Sequence, residues 1–332
     1  MFMNRSLGFG LAVAAGLFVA LPSAANAQTS AQAWPTRPVT WIVPFPAGGP
    51  ADILARTVAA ELSSKLGQQF VTENRAGAGG NLGGSAAAKA EPDGYTMMFS
   101  TPGPAAVNKL MYANAGYDPE KDLTPVILVA KSPLIIVAAK DAPVKDFKEL
   151  VSYAKANPGK LNAGHPGNGT LGHITSKLVQ INNDIQLTDV PYRGTAPLTT
   201  DLLGGQVQLA MDFITTYIPL VQENKIRALA VTSSQRVTKE LPDVPTVAEL
   251  GIPGFEATAW YAVLTPTKTP ADIVQKVNTV VNDWLKSPAG KEALAKFVMQ
   301  GAGGTPADAK AYISSELAKW GPVIKKSNIA LN

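Results

Sequence analysis

The stretch VTWIVPFPAGGPADILARTVAAELSSKLG, residues 39–67, joins three patterns that specify the start of an α/β fold. VTWIV is an apolar run typical of a buried strand. ILARTVAAELSSKL has apolar residues every three or four positions and stops at Gly67, which is typical of a helix and its C-terminus. Between them lies the loop PFPAGGPAD (44–52), which lacks the Lys-Ser/Thr pair of a phosphate-binding loop.

The same alternation continues along the chain. QFVTEN and YTMMFST read as strands, with the small-residue helix GNLGGSAAAKA between them. The resulting β-α-β-α-β pattern implies a parallel sheet with right-handed crossovers. Two apolar runs in TPVILVAKSPLIIVAAK precede a second series of strands and helices, which begins at LNAGHPG. Three helical patterns close the chain: ADIVQKVNTVVNDWLKS, KEALAKFVMQ and ADAKAYISSELAKW.

Two β/α series predict two lobes that the chain crosses between twice. The crossings are predicted near residues 127–137 and 260–264, so that lobe 1 comprises residues 34–130 and 258–332, and lobe 2 residues 131–257. The alternative is one large doubly wound sheet. It is disfavoured because such a sheet would need about nine or ten strands.

The N-terminus has the pattern of a secretory signal peptide. One positive charge precedes the apolar run Leu7–Leu21, and the small residues SAANA follow. Cleavage is predicted after Ala27, which makes residues 1–27 the signal peptide. The alternative is a membrane anchor, but the run is short for a membrane span.

Composition excludes several classes of function. The net charge is only +4 and no Lys/Arg-rich run occurs, so nucleic acid is not expected as a partner. Cysteine is absent, which excludes disulfides and thiolate chemistry. The two histidines, His165 and His173, argue against His-based metal sites and a hydrolase triad. No paired carboxylates suggest glycosidase or metal chemistry. We therefore expect no catalytic residues, no metal and no cofactor.

Three loops share one design, in which glycines follow a strand and precede a helix: PFPAGGPAD (44–52), NRAGAGGNLGG (74–84) and GHPGNGTLGH (164–173). Glycine lets the backbone approach a ligand closely. A helix N-terminus presents free N–H groups and partial positive charge, so it favours anions. The three loops predict an anion site between the lobes. The alternative is that the glycines only make tight turns and Asp52 only caps a helix.

The third loop also allows a different function. Gly167–Gly172, G-N-G-T-L-G, has the spacing of a dinucleotide-binding loop, and Asp189 lies where a ribose-binding acid would be. A nucleotide-dependent oxidoreductase is therefore the alternative. It is disfavoured because the motif lies in the second lobe and the signal peptide directs the chain to a compartment without nicotinamide cofactors. Arg193, in PYRGTAP, either pairs with a carboxylate or is a solvated cation.

Taken together, PFPAGGPAD, ENRAGAGGNLGG, EPDGYTMMFST, VPYRGTAPLTTDLLGGQVQLAMD and LPDVPTVAELGIPGFEATAWYAVLTPTKTP resemble the Bug-type solute-binding proteins of tripartite tricarboxylate transporters. The resemblance runs from Trp34 to the C-terminus. It implies a periplasmic binding protein with a two-lobed, type II α/β fold, in which each lobe is a mostly parallel sheet flanked by helices and two crossing strands form the hinge.

The resemblance also implies the function and the binding residues. Such a protein closes over a small organic carboxylate, which it grips through backbone N–H groups and waters, and delivers it to a two-component membrane permease; we expect a monomer. Lobe 1 would contribute Phe45, Ala47, Gly48, Gly49, Asp52, Asn81, Ser100 and Thr101. Lobe 2 would contribute Asn168, Gly169, Thr170 and His173, with Thr195 and Asp212 at the floor of the site.

Two stretches depart from the family pattern. Pro-Ala precedes Gly-Gly in the first loop, where Ala-Pro is commoner, and Pro102-Gly103-Pro104 replaces bulkier or polar residues. The identity of the acid therefore stays open among dicarboxylates, tricarboxylates, aromatic acids, amino acids and nicotinate-like acids. The partner also stays open between a permease and a sensor.

Overall fold

The computed structural model describes Met1, residues 34–327 and Ile329, and residues 34–327 contain all the elements below. Apart from Met1, the predicted signal peptide lies outside the described residues. None of the described helices has the length and apolar character needed to cross a membrane.

Ten strands alternate with helices along the chain. The strands are β1 (Val39–Val43), β2 (Phe70–Asn74), β3 (Thr96–Ser100), β4 (Leu123–Ala139), β5 (Asn162–His165), β6 (Thr188–Pro191), β7 (Leu209–Phe213), β8 (Ile226–Val231), β9 (Thr258–Pro266) and β10 (Gln300–Gly303). The helices are α1 (Pro50–Leu66), α2 (Asn81–Ala88), α3 (Pro102–Ala105), α4 (Pro119–Asp122), α5 (Phe147–Ala156), α6 (Leu171–Asn183), α7 (Thr195–Leu203), α8 (Ile214–Gln222), α9 (Ala271–Lys286), α10 (Pro288–Ala295) and α11 (Pro306–Lys326).

The strands form a mixed sheet in two halves that share β4. In the first half, β1 pairs in parallel with β2 and β3, while β9 joins β3 to β4 by antiparallel pairing. In the second half, β5 pairs in parallel with β6 and β7, and β4 pairs antiparallel with β7 and β8. Parallel pairing thus occurs only among strands of the two β/α series, but β8, the last strand of the second series, pairs antiparallel with β4.

Strand β4 connects the two halves. It is one continuous strand of 17 residues, although its sequence reads as two apolar runs. Its first part pairs with β9 and β10, and its last residues pair with β7 and β8. The partners change near Pro133, which cannot donate a ladder hydrogen bond.

Two apolar clusters fill the fold. One lies between β1, α1 and α9 and includes Trp41, Leu54 and Val277. The other extends from the second half of the sheet to α11 and includes Ile136 and Trp260. Residues of β4 and β9 contribute to both clusters, so these two strands lie between them.

Candidate functional site

The predicted lobe 1 residues gather where three parallel strands end. Because β1, β2 and β3 run in the same direction, the loops that follow them emerge at one edge of the sheet. The structure confirms the contact between these loops. The Asn74 amide after β2 donates to the Phe45 carbonyl oxygen at 3.0 Å. A Cβ on Gly80 would lie 3.3 Å from the Pro44 carbonyl oxygen, so the second loop packs directly on the first.

Asp52 organises the first loop from the first turn of α1. Its carboxylate accepts the Gly48 N–H at 2.9 Å, the Asn74 amide at 2.8 Å and the Arg56 guanidinium at 3.0 Å. Burial would raise the pKa of this carboxyl, but these hydrogen bonds and the Arg56 charge hold its pKa below the ordinary value. Asp52 therefore acts on the site through the shape of the loop.

Sequence reasoning missed Asn74 and Arg56. Sequence features could have indicated both residues. Asn74 is the last residue of β2, at the edge where parallel strands present functional groups. Arg56 follows Asp52 by four residues on α1, a spacing at which helical side chains meet. The Arg56 guanidinium donates hydrogen bonds to the Asp52 carboxylate and to the Asn74 side-chain oxygen, each at 3.0 Å. It therefore serves the loop as a structural cation.

The first loop leaves backbone donors free. Within the described part of the chain, the N–H groups of Ala47, Gly49 and Ala51 have no protein acceptor. Gly48 has φ +85° and nothing lies within 4 Å of where its Cβ would be, so this glycine is required by its conformation and not by crowding. These N–H groups without a protein acceptor lie at the N-terminus of a long helix, a position that favours anions.

Asn81, Ser100 and Thr101 lie beside this loop and are all buried. Asn81 opens α2, and Ser100 and Thr101 close β3. The Ser100 hydroxyl makes one weak hydrogen bond, at 3.3 Å, to the Thr101 carbonyl oxygen. The Asn81 side chain accepts a hydrogen bond from Asn108 at 2.7 Å, a residue that the sequence did not single out.

The predicted lobe 2 residues gather in the same way at the ends of β5, β6 and β7. The Tyr192 N–H donates to the His165 carbonyl oxygen at 3.0 Å, and the Gly194 N–H donates to the Pro166 carbonyl oxygen at 3.0 Å. Thr195 opens α7 directly after this contact, and Asp212 ends β7 next to Phe213.

The loop Gly167–Thr170 is built by local hydrogen bonds. The Thr170 hydroxyl donates to the Gly167 carbonyl oxygen at 2.7 Å and caps α6 by accepting the His173 N–H at 3.5 Å. The Gly169 N–H donates to His173 Nδ1 at 3.3 Å, so the ring proton of neutral His173 is on Nε2. Asn168 is exposed at the tip of the loop.

His173 stacks on His165, with the ring centroids 4.4 Å apart. Burial, together with the neighbouring His173, lowers the pKa of His165 to about 3, and burial also lowers the pKa of His173. Both rings are therefore neutral at pH 7, and neither supplies a cation for an anionic ligand.

The geometry explains the G-N-G-T-L-G spacing without a nucleotide. A Cβ on Gly172 would lie 2.3 Å from the Met211 carbonyl oxygen, so this glycine allows α6 to pack on β7. Asp189, the candidate ribose-binding acid, accepts hydrogen bonds from Ser176, Lys177 and Gln180 of α6. Its carboxylate is fully engaged in holding α6 to β6.

Asp212 is completely buried at the end of β7. It accepts the Phe213 N–H at 2.7 Å and the Tyr217 hydroxyl at 3.2 Å. Burial raises the pKa of this carboxyl to about 6, although hydrogen bonds from Phe213, Thr195 and Tyr217 oppose the shift. Asp212 is thus the carboxyl group of the site that can be protonated near neutral pH.

An aromatic stack joins the two groups of loops. Tyr261 of β9 stacks on Phe99, next to Ser100, at 6.0 Å and on Phe213, next to Asp212, at 6.3 Å. Tyr261 is fully buried and belongs to the core. Burial and the Asp212 charge raise the pKa of its hydroxyl. The stack places the strand ends of both predicted groups on either side of one ring.

Other sites have less support. A recess of about 660 Å³ between α9, α10 and β10 contains none of the predicted site residues. Among the described residues, no cluster of three or more His, Asp or Glu side chains is placed to hold a metal ion. Arg193 lies exposed in the loop that precedes α7.

Comparison with known proteins identifies the family. Residues 54–329 match the model of the tripartite tricarboxylate transporter family receptor. The chain belongs to this family. Because it is a receptor family, the prediction that the protein is not an enzyme is confirmed.

Individual relatives are similar over nearly their whole length. Protein BugT of Bordetella pertussis is 36% identical over 320 residues, covering 95% of this chain and 97% of BugT. The structure of R. palustris Rpa4515 with adipate is similar with a TM-score of 0.84 and 41% identity, covering 90% of this chain and 99% of Rpa4515. The structure of MatC from Rhodopseudomonas palustris with bound malate is similar with a TM-score of 0.81 and 34% identity, covering 87% of this chain and 99% of MatC. This similarity confirms the predicted two-lobed α/β binding-protein fold.

Proposed function

We propose that the protein is a periplasmic receptor that captures a small organic carboxylate between its two lobes and passes it to a membrane permease. The observation that carries the proposal is the similarity to Rpa4515, whose structure contains adipate. The malate in MatC supports the same class of ligand. The lobes are the predicted ones, residues 34–130 with 258–332 and residues 131–257.

The grip on the carboxylate relies on backbone donors. In this proposal the N–H groups of Ala47 and Gly49, which have no acceptor among the described residues, bind the ligand from lobe 1, and the N-terminus of α6 after Thr170 binds it from lobe 2. Both histidines are neutral and Arg56 is paired with Asp52, so none of these three side chains supplies a cation to the grip. Backbone donors, helix ends and ordered water suffice for one carboxylate. The proposed contacts are Phe45, Ala47, Gly48, Gly49, Asn81, Ser100, Thr101, Asn168, Gly169, Thr170, His173 and Thr195.

Two residues of the predicted set act indirectly in this proposal. Asp52 shapes the first loop, and Asp212 is fully buried with both oxygens engaged. An ionised carboxylate at either position would repel the ligand if it faced it directly. The Arg56 charge offsets that of Asp52, and the complete burial of Asp212, which raises its pKa to about 6, disfavours its charged form.

Closure follows from the ligand touching both lobes. A ligand that contacts donors on both sides binds the closed form more tightly than the open form and shifts the population toward it. Strands β4 and β9 are the hinge in this proposal, since β4 takes part in both halves of the sheet.

A thermal-shift screen of residues 28–332 tests the proposal. The panel contains succinate, malate, adipate, citrate, aspartate, benzoate and nicotinate, with NAD as the comparison. A ligand at a hundred times its dissociation constant adds about 2.7 kcal/mol of stability, which raises the melting temperature by a few degrees. A shift with an acid and none with NAD supports the proposal. A shift with NAD alone, or with none of these compounds, contradicts it.

Gly49→Leu tests the first loop. Gly49 has a backbone conformation that leucine adopts, and its Cβ would meet only the Pro46 carbonyl oxygen at 3.9 Å, so the variant is expected to fold. Its side chain blocks the approach of a ligand to the free N–H groups, and binding of the acid is lost. The control is Gly321→Leu on α11, where a Cβ would lie 4.0 Å from Leu110. Unchanged affinity in Gly49→Leu would place the grip elsewhere.

A further inference from the structure

Asn108 connects the second glycine loop to the segment that follows β3. It lies in the 3₁₀ turn Val107–Leu110 and is 1% exposed. Its side-chain NH₂ donates to the Gly79 carbonyl oxygen at 3.0 Å and to the Asn81 side-chain oxygen at 2.7 Å. One amide thus holds both the backbone of the loop and the first residue of α2.

These two hydrogen bonds determine which way the Asn81 amide faces. The Gly79 carbonyl can only accept, so it fixes the NH₂ of Asn108 on its side. The second hydrogen of that NH₂ then requires an acceptor, which is the oxygen of Asn81. The NH₂ of Asn81 is consequently turned away from Asn108.

The NH₂ of Asn81 has no acceptor within residues 34–327, although the side chain is only 4% exposed. Buried polar groups are nearly always paired, so this donor is available to a bound water or to a ligand oxygen. Asn81 is also the first residue of the eight-residue helix α2, whose N-terminus favours negative charge. A donor and a helix end at one place favour an anionic oxygen.

The unusual Pro102-Gly103-Pro104 stretch supports Asn108 from the other side. A Cβ on Gly103 would lie 3.0 Å from the Asn108 side-chain oxygen and 3.6 Å from the Gly79 carbonyl oxygen. A side chain at this position would press on Asn108, which would have to shift by a few tenths of an ångström. The ring of Pro104 packs on Gly80, where a Cβ would lie 2.6 Å from its Cγ. The stretch is thus shaped to hold the second loop and its amide.

We propose that Asn108 is a positioning residue that orients the Asn81 amide with its NH₂ toward a ligand carboxylate, so that the site discriminates carboxylates from neutral amides. The proposal rests on the proposed function, and Asn108 itself does not touch the ligand. An amide in the opposite orientation would present its oxygen to the ligand and would repel a carboxylate.

Asn108→Asp tests this orientation because an aspartate can only accept from Asn81 and would reverse its amide. The probes are adipate, malate and benzoate, each compared by calorimetry with its fully amidated, neutral form: adipamide, malamide and benzamide. A reversed Asn81 amide would repel a ligand carboxylate but could still accept a hydrogen bond from a ligand amide. The ratio of the affinity for the acid to that for its amide is therefore expected to fall by about tenfold. A residue that only stabilised the fold would weaken both compounds equally.

Two further variants make the test specific. Asn114→Asp, an exposed change on the same segment that keeps an acceptor for the Gly116 N–H, is expected to leave the preference unchanged. Gly103→Ala displaces Asn108 without adding charge and is expected to lower the preference by a smaller factor. It serves as the main test if circular dichroism shows that Asn108→Asp is unfolded.

The outcomes separate the two proposals. If the wild-type protein binds none of the three acids, the proposed function fails for them and this inference fails with it. If the wild-type protein binds an acid but both Asn108→Asp and Gly103→Ala keep the wild-type preference for the acid over its amide, only the orienting role of Asn108 is overturned.

Discussion

At the scale of single residues, Asp52 and Asp212 show how neighbours decide the state of a buried carboxyl. Burial would raise both pKa values. Around Asp52, hydrogen bonds from Arg56, Gly48 and Asn74 outweigh burial and lower the pKa. Around Asp212, hydrogen bonds alone do not offset complete burial, and the pKa is raised to about 6. The two carboxyls differ both in the Arg56 partner of Asp52 and in the complete burial of Asp212.

Replacing Asp52 tests its role in the first loop. Asp52→Ala removes the acceptor of the Gly48 N–H and leaves Arg56 and Asn74 without their shared partner. We expect a loss of about 1–3 kcal/mol in the free energy of unfolding, measured in urea, and weaker binding of the acid identified in the screen. Asp146→Ala removes a helix N-cap outside the site and should lower stability without changing affinity. Equal affinities in both variants would contradict the organising role of Asp52.

The pKa of Asp212 predicts a pH dependence of stability. The unfolded carboxyl titrates near 3.8 and the folded one near 6, so the folded state holds more protons between these values. Wild-type stability therefore falls as pH rises through this window. Asp212→Asn removes this effect, so its stability relative to wild type should rise by up to about 3 kcal/mol between pH 4 and pH 7. Urea unfolding at both pH values measures it; a constant difference would show that Asp212 is ionised throughout.

At the scale of elements, regular patterns were predictable from the sequence and irregular ones were not. Helix α1 ends at Gly67 as predicted, because helical spacing and a left-handed glycine coincide there. Strand β10 was missed because Gln300–Gly303 has no apolar alternation and is mostly exposed. The continuity of β4 was not apparent because Lys131, Ser132 and Pro133 interrupt its apolar run. It is held together by pairing with β9, which is a long-range contact.

The features of the site were likewise predictable where they follow from regular elements and unpredictable where they depend on irregular ones. The gathering of the predicted loops could be inferred because parallel strands end at one edge of a sheet. Asn108 could not, because it belongs to a 3₁₀ turn without a repeating pattern and its partners Gly79 and Asn81 are distant in sequence.

Thr170 tests the N-terminus of α6. Its hydroxyl is both the cap of the helix and a donor to the Gly167 carbonyl oxygen. Thr170→Val removes both contacts, and we expect a loss of about 1 kcal/mol in stability and weaker binding because the loop is no longer held. Thr170→Ser keeps the hydroxyl and should retain both properties. If calorimetry shows that Thr170→Val and Thr170→Ser bind the acid with the same affinity, the loop does not depend on this cap.

At the scale of the whole molecule, a buried acid attaches α11 to strand β9. Glu316 accepts the indole N–H of Trp260 in β9 at 3.2 Å and that of Trp320 in α11 at 3.0 Å. Lys319 donates to its other oxygen at 2.7 Å. The Lys131 ammonium of β4 lies 3.8 Å from the centre of the Tyr312 ring of α11, which adds a cation–π contact to the same attachment.

Removing Glu316 should destabilise the whole fold. Glu316→Ala leaves two buried indole donors unpaired, at about 1–3 kcal/mol each. The control is Glu292→Ala, which removes an exposed ion pair with Lys296 and should change stability by less than about 1 kcal/mol. Urea unfolding compares the two. Similar small losses would mean that the indole contacts contribute little.

The most direct test of the account is a calorimetric titration of residues 28–332 with the carboxylate that gives the largest shift among malate, adipate and benzoate, repeated on Gly49→Leu. The account predicts one molecule bound per chain, with a dissociation constant of about micromolar order, and no binding to a folded Gly49→Leu variant. Binding of NAD in place of every acid, or equal affinity in the two proteins, would contradict a carboxylate receptor that grips its ligand through the first loop.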